Sequence, residues 1–229
     1  MALILNIDTS TEIASVSISE DGKVFGSESN PDPKNHGAFL QPAIKKLLDD
    51  VRVTFDSLDA VAVANGPGSY TGLRVGLSSA KGICYAMSKP LITINTLQVL
   101  ALASLQATAI DSNKTNTCLL CPMIDARRME VFTALYNVKI ETIMPPQAII
   151  LDANSFNGQL AKNTIVFSGS GKEKFKNIIN NNNALFVDIQ DNIASMAVLA
   201  HQYFSRKDFA SLAYAEPFYV KEVYFAEKK

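Results

Sequence analysis

The segment Asn65-Gly66-Pro67-Gly68-Ser69-Tyr70-Thr71-Gly72 constrains this chain more than any other. It follows a short apolar run, Ala60 to Ala64. It precedes a stretch in which Leu73, Gly76, Leu77, Ala80, Ile83, Cys84 and Met87 recur at helical spacing. A buried strand, a glycine-rich loop and a helix in that order make a βα unit, so the pattern predicts an α/β protein.

The flanking sequence extends the pattern. Leu3 to Ile7 is a compact apolar run, Asp8-Thr9-Ser10-Thr11 a polar turn, and Ala14, Val16 and Ile18 then alternate with Ser15, Ser17 and Ser19 as in a half-buried strand. Glu20 to Lys23 turns into Val24-Phe25, which predicts consecutive antiparallel strands. Phe39, Leu40, Ala43, Ile44, Leu47 and Leu48 mark an amphipathic helix, Leu91 to Ile94 a strand, and Leu97 to Ile110 an apolar helix. After a polar break at Asp111 to Asn116 a second cycle begins. Strands are predicted at Thr117 to Ile124 and Val131 to Tyr136, around Asp125-Ala126-Arg127-Arg128. Ile165 to Phe167 leads through Ser168-Gly169-Ser170-Gly171 into a helix ending at Ile179; Asn180 to Asn183 is a loop, and beyond Phe186-Val187 a helix runs from Ile193 to Phe204. Two such cycles predict two similar lobes with a cleft between them. The tail from Tyr214 to Lys229 suggests no element.

Composition narrows the function classes. The chain has 229 residues, 48% of them hydrophobic, enough to bury a core in one or two domains. Its net charge of -1 provides no global field to hold a polyanion, so any nucleic acid is met locally or through a partner. Three cysteines, an odd number, argue against a disulfide framework and for a reducing compartment, the cytoplasm. The apolar run at the start is too short, and lacks the basic residues, for a secretory signal.

Several groups could carry chemistry. The Asp8, Thr9 and Ser10 turn can aim amides and hydroxyls at a phosphate, or it can be plain hairpin chemistry. The 66–74 loop opens a helix, where anions bind, yet it lacks the Gly-Lys-Ser/Thr of a P-loop, Pro67 removes an amide, and Thr71 stands where a dinucleotide fingerprint needs glycine. Cys118 and Cys121 have zinc spacing, but three residues apart on a strand they face opposite ways. His36 reads as part of a polar loop, and His201 sits on a helix with no carboxylate at a useful spacing. Arg127 and Arg128 read as a solvated turn rather than an RNA contact. On the 72–87 helix, Gly76 and Ala80 among larger residues would let another helix approach closely, either from a partner or from within the lobe.

Three stretches, Leu5 to Thr11, Asn65 to Gly76 and Ile124 to Val131, resemble the TsaB (YeaZ) family. The resemblance implies an actin-like, Hsp70-like (ribonuclease H-like) α/β fold of two similar lobes, each a mixed sheet flanked by helices. It implies residues 1–98 as an N-terminal lobe carrying partner-binding helices, and residues 99–229 as a smaller C-terminal lobe plus tail. It further implies a non-catalytic dimerisation subunit for N6-threonylcarbamoyladenosine formation at position 37 of tRNAs reading ANN codons. Such a subunit binds the catalytic TsaD, joins the ATPase TsaE in a larger assembly, forms homodimers when alone, and meets tRNA only through the complex. Leu40, Ile44, Leu47, Leu73, Gly76, Leu77, Ala80 and Cys84 are then the expected partner surface, and Asp8, Thr9, Ser10, Gly169 and Gly171 the remains of a nucleotide site. TsaD's two metal-binding histidines fall at Thr96 and Leu100, so neither a metal nor a cofactor is expected. The rival readings are a small actin-like ATPase or phosphotransferase and, further off, a peptidase.

Overall fold

The computed structural model describes residues 1–32, 35–108 and 117–221. Two five-stranded mixed sheets organise it. In the first, β1 (Leu3–Asp8) pairs antiparallel with β2 (Ala14–Glu20), β2 pairs antiparallel with β3 (Lys23–Asn30), and β4 (Ala60–Gly66) and β5 (Leu91–Asn95) add in parallel, giving the order β3-β2-β1-β4-β5. The second repeats this topology strand for strand. Here β6 (Cys118–Asp125) pairs antiparallel with β7 (Glu130–Asn137), β7 with β8 (Thr142–Ile150), and β9 (Thr164–Ser168) and β10 (Ala184–Phe186) add in parallel. This duplicated 3-2-1-4-5 order is the actin-like arrangement.

Helices α1 (His36–Val51) and α2 (Tyr70–Met87) cover one face of the first sheet. Their apolar stripes are consumed there. Leu40, Ile44, Leu47, Leu77, Ala80 and Cys84 pack with Leu5, Ile7, Val16, Ile18, Val61 and Val63 in one core. Leu73 is fully buried as well, and Gly76 lies against Ile7, Thr9 and Val63. The expectation that these eight residues form a partner surface is therefore corrected: a sheet face needs cover, and their side chains provide it within the lobe.

Two further expectations change because helices serve more than one layer. The serines of β2 do not face water: Ser15, Ser17 and Ser19 are buried beneath α6 (Ile193–Ser205), which returns from the far end of the chain. Small side chains let the helix sit close, and Asn6 Nδ2 donates to Ser19 Oγ at 2.9 Å inside that layer. Consequently residues 193–221 pack largely with the first lobe, although the division at 98/99 assigns them to the second. That division also falls within α3 (Thr96–Ala107), whose Val99 joins the core under the first sheet while Leu97, Leu100 and Ala101 join Cys118, Leu120, Ala134 and Val166 of the second. A helix serving as a wall for both lobes has to be apolar on every side.

The second lobe holds its outer face with an aromatic cluster. Phe156, Phe167, Phe175 and Phe186 meet at centroid distances of 4.9 to 5.6 Å along the closest pairs, beside α4 (Asn157–Leu160) and α5 (Lys172–Lys176). The predicted helix to Ile179 is thus a single turn ending at Lys176. Strand β8 was not expected, because Pro145 and Pro146 interrupt its pattern; as the sheet's edge it has no outer neighbour that needs their missing N–H groups. The polar break at Asp111 to Asn116 lies outside the described residues. Among the described residues, no helix is long and apolar enough to cross a membrane.

Candidate functional site

The ends of β1 and β4 in one lobe, and of β6 and β9 in the other, open onto a shared cleft of about 920 Å³. The duplicated topology puts the same device on each side. Asp8 ends β1 and its Oδ1 accepts from Ser10 N at 2.9 Å; Asp125 ends β6 and its Oδ1 accepts from Arg127 N at 2.6 Å. Each is an Asx turn that closes a hairpin. Asp8 is almost fully buried, and its other carboxylate oxygen accepts from Asn192 Nδ2 at 2.8 Å, while Ser10 Oγ donates to Oδ1 at 2.5 Å. Asp125 is exposed and takes Lys174 Nζ at 2.7 Å. The cleft therefore gathers Asp8's neighbours Ser10 and Thr11 with Gly169, Ser170 and Asn192.

The glycine-rich loop has a different task from cradling phosphate. A Cβ at Gly68 would stand 2.1 Å from the Ser10 carbonyl oxygen, one at Gly72 2.0 Å from that of Thr9, and one at Gly76 2.3 Å from Thr9 Oγ1. Three glycines therefore permit the 8–10 hairpin to press onto the start of α2. Hydrogen bonds fix the contact: Ser69 N donates to Ser10 O at 2.7 Å, and Thr9 Oγ1 to Gly72 O at 2.7 Å. Gly72 N donates to the N-cap hydroxyl of Ser69. The second lobe does likewise, with Gly171 N donating to Met123 O at 2.9 Å and a Cβ at Gly169 falling 2.4 Å from that same carbonyl. Asp8, Thr9, Gly169 and Gly171 are thus spent on packing hairpins against loops.

Charge in the cleft leans acidic. Glu12, Asp125, Asp188 and Asp191 line it against Arg127 and Lys172, and Lys172 is tied to Asp188 at 2.7 Å. The Ser69 and Gly72 amides are bound within the protein, and with this excess of carboxylates the cleft does not fit a polyphosphate well. Nor do the residues at the start of α3 fit a metal: Thr96 is buried with its hydroxyl unpartnered, and Leu100 has no donor. His36, anticipated in a loop, instead begins α1, buried, with Nε2 2.9 Å from Thr11 O; the carbonyl can only accept, so Nε2 carries the proton. Arg127 and Arg128 do form an exposed turn, both with left-handed backbone.

The cysteines are core groups. Cys118 and Cys121 lie in separate cores on opposite faces of β6. Burial pushes the Cys121 thiol up to about 12 and that of Cys84 up to about 11, so both stay protonated and unreactive at neutral pH. A thiol reagent such as Ellman's should find no fast-reacting group in the native protein and all three cysteines in denaturant; a fast native thiol would contradict this burial.

Sequence reasoning missed Asn192, Lys172 and Asp188, which reach the cleft from distant segments and carry no local signal. It also missed the tail, whose Tyr219 ring packs against Tyr70, tilted, with centroids 5.3 Å apart.

The profile of the TsaD family, tRNA N6-adenosine threonylcarbamoyltransferase, matches residues 31–223, most of the chain. The chain belongs to this family, among its TsaB (YeaZ) members. The Bacillus subtilis protein named tRNA threonylcarbamoyladenosine biosynthesis protein TsaB is 32% identical over 151 residues, spanning 65% of this chain and 62% of that one. Its Escherichia coli namesake is 25% identical over 230 residues, covering 95% of this chain and 94% of the relative. YeaZ from Pseudomonas aeruginosa superposes with a TM-score of 0.76 at 24% identity, over 96% of this chain and all of that one, a likeness of fold.

Proposed function

We propose that this chain is a non-catalytic subunit in the formation of N6-threonylcarbamoyladenosine in tRNA, acting by binding a TsaD-type catalytic subunit. One observation carries the reading: at the two positions where the resemblance to TsaD places metal-binding histidines, this chain has Thr96 and Leu100, both packed at the start of α3. A hydroxyl and an aliphatic side chain cannot replace two imidazoles. The names of the Bacillus and Escherichia relatives place them in the same biosynthesis.

With the inner stripes of α1 and α2 committed to the core, the partner surface falls on their outer faces. There Ala38, Gln41 and Pro42 of α1 and Ser78, Gly82 and Tyr85 of α2 are open to solvent, and Tyr85 is 81% exposed. An exposed tyrosine among small residues suits a helix-on-helix contact. A TsaE-type ATPase, and tRNA held by the complex, would join through that heterodimer; a homodimer would use the same face.

The test is recovery of the tagged chain from its host, with co-purifying proteins identified and tRNA modification assayed on the eluate. A TsaD-type chain in near-equal amount, lost on Tyr85→Asp while the fold persists, is the expected result. Return of the chain alone under gentle conditions would sink the proposal. The ATPase rival has its own assay, ATP hydrolysis abolished by Asp8→Ala, and the excess of carboxylates lining the cleft weighs against it.

A further inference from the structure

The last described residues leave α6 and run back along the outside of the first lobe. Ala210 N donates to Leu91 O at 2.8 Å, extending the edge of the sheet at β5. Lys81 of α2 then holds the carbonyls of Ala213 and Ala215 at 3.4 and 3.1 Å. Phe218 N donates to Asn65 O at 2.7 Å, and Gly66 leaves the room this needs, since a Cβ there would stand 2.5 Å from the Phe218 carbonyl. Next, the Tyr219 ring packs tilted against Tyr70, its hydroxyl accepts from Arg74 Nε at 3.1 Å, and the Arg74 guanidinium lies over the Tyr70 ring, 4.1 Å from its centroid. Two residues on, Lys221 leaves the first lobe and pairs with Glu130 of β7 at 2.5 Å. Among the described residues this is the one ion pair that runs from the first lobe and its attached tail to the second. Phe218, Tyr219, Val220 and Phe132 of the second lobe line a small hollow beneath it.

We infer that residues 209–221 form a strap that sets the angle between the lobes, latched to the first lobe by Tyr219 and to the second by Lys221, so that its release lets the cleft open. The chain crosses the gap at the outer end of the cleft, where Tyr70 lines both the cleft and the hollow under the strap. The hold is graded for release. The backbone bonds at Ala210 and Phe218 anchor the strap to one lobe, whereas the crossing depends on an ion pair whose lysine is half exposed and open to screening by salt. Opening of the second latch therefore leaves the first in place. The strap stands independently of the partner and activity proposed above.

Inter-lobe distances between spin labels test it, because the native cysteines are all buried and labels will go to introduced ones. Asp50→Cys on α1 and Lys162→Cys on the second lobe, both exposed, give the pair. Lys221→Glu and Tyr219→Ala should each shift the distribution and widen it, and high salt should do the same to the unsubstituted strap. Combining Lys221→Glu with Glu130→Lys should return the native distribution. In Tyr219→Ala the Phe218 amide should exchange about tenfold faster or more while the β1 amides stay protected, which separates release from unfolding. Native distributions in both single variants, with the Phe218 amide freed in Tyr219→Ala, would overturn the inference. So would failure of the charge swap to restore the distance.

Discussion

Gly72→Ala should lower the unfolding free energy by about 3 kcal/mol, at the top of the range for overpacked sites. The added methyl would stand 2.0 Å from the carbonyl oxygen of Thr9, a backbone atom that cannot swing aside. That carbonyl belongs to the hairpin whose Ser10 and Thr9 bond to Ser69 and Gly72, so relief of the clash breaks the hydrogen bonds holding the hairpin to α2. Gly82, on the same helix, is the control. Nothing lies within 4 Å of a Cβ there, and Gly82→Ala should stabilise by about 0.5 to 1 kcal/mol through the better helix propensity of alanine. Urea unfolding of the two variants measures opposite signs from one substitution on one helix. Equal, small effects would mean the hairpin is not pressed on the glycines.

Ala80→Asp should leave the first lobe unfolded, not merely unpartnered. Ala80 is fully buried in the core with Leu77 and Cys84, and no cation among the core's residues could pair with a carboxylate placed there. A buried unpaired charge costs about 3 to 5 kcal/mol, a large part of the stability of a domain this size. Circular dichroism melting should show a lost or much lowered transition, while Tyr85→Asp, on the solvent side of the same helix, melts like the native chain. A folded Ala80→Asp protein that fails to associate would restore the partner-surface reading of Leu77 and Ala80.

That reversal marks where sequence stops being sufficient. Spacing of Leu40, Ile44 and Leu47, and of Leu73, Leu77 and Ala80, determines that each helix has an apolar face, and so fixes the helices. It does not say what the face meets. The sheet of the same lobe claimed both stripes, because β1, β2 and β4 present Ile7, Val16 and Val63 toward them.

The sequence by itself determined the α/β class, the two repeated cycles, the opposed cysteines of β6 and the turns at Asp8 and Asp125, because each is written in residues close together along the chain. Only the tertiary structure decided that α6 buries the serine face of β2, that α3 is shared between lobes, that Gly68, Gly72 and Gly76 make room for Thr9 and Ser10, and that the tail ties Tyr219 to Tyr70. These contacts join residues separated by about twenty to nearly two hundred positions. A glycine looks the same in sequence whether it makes room for a ligand or for the protein's own backbone, and only the position of the atom opposite it distinguishes the two.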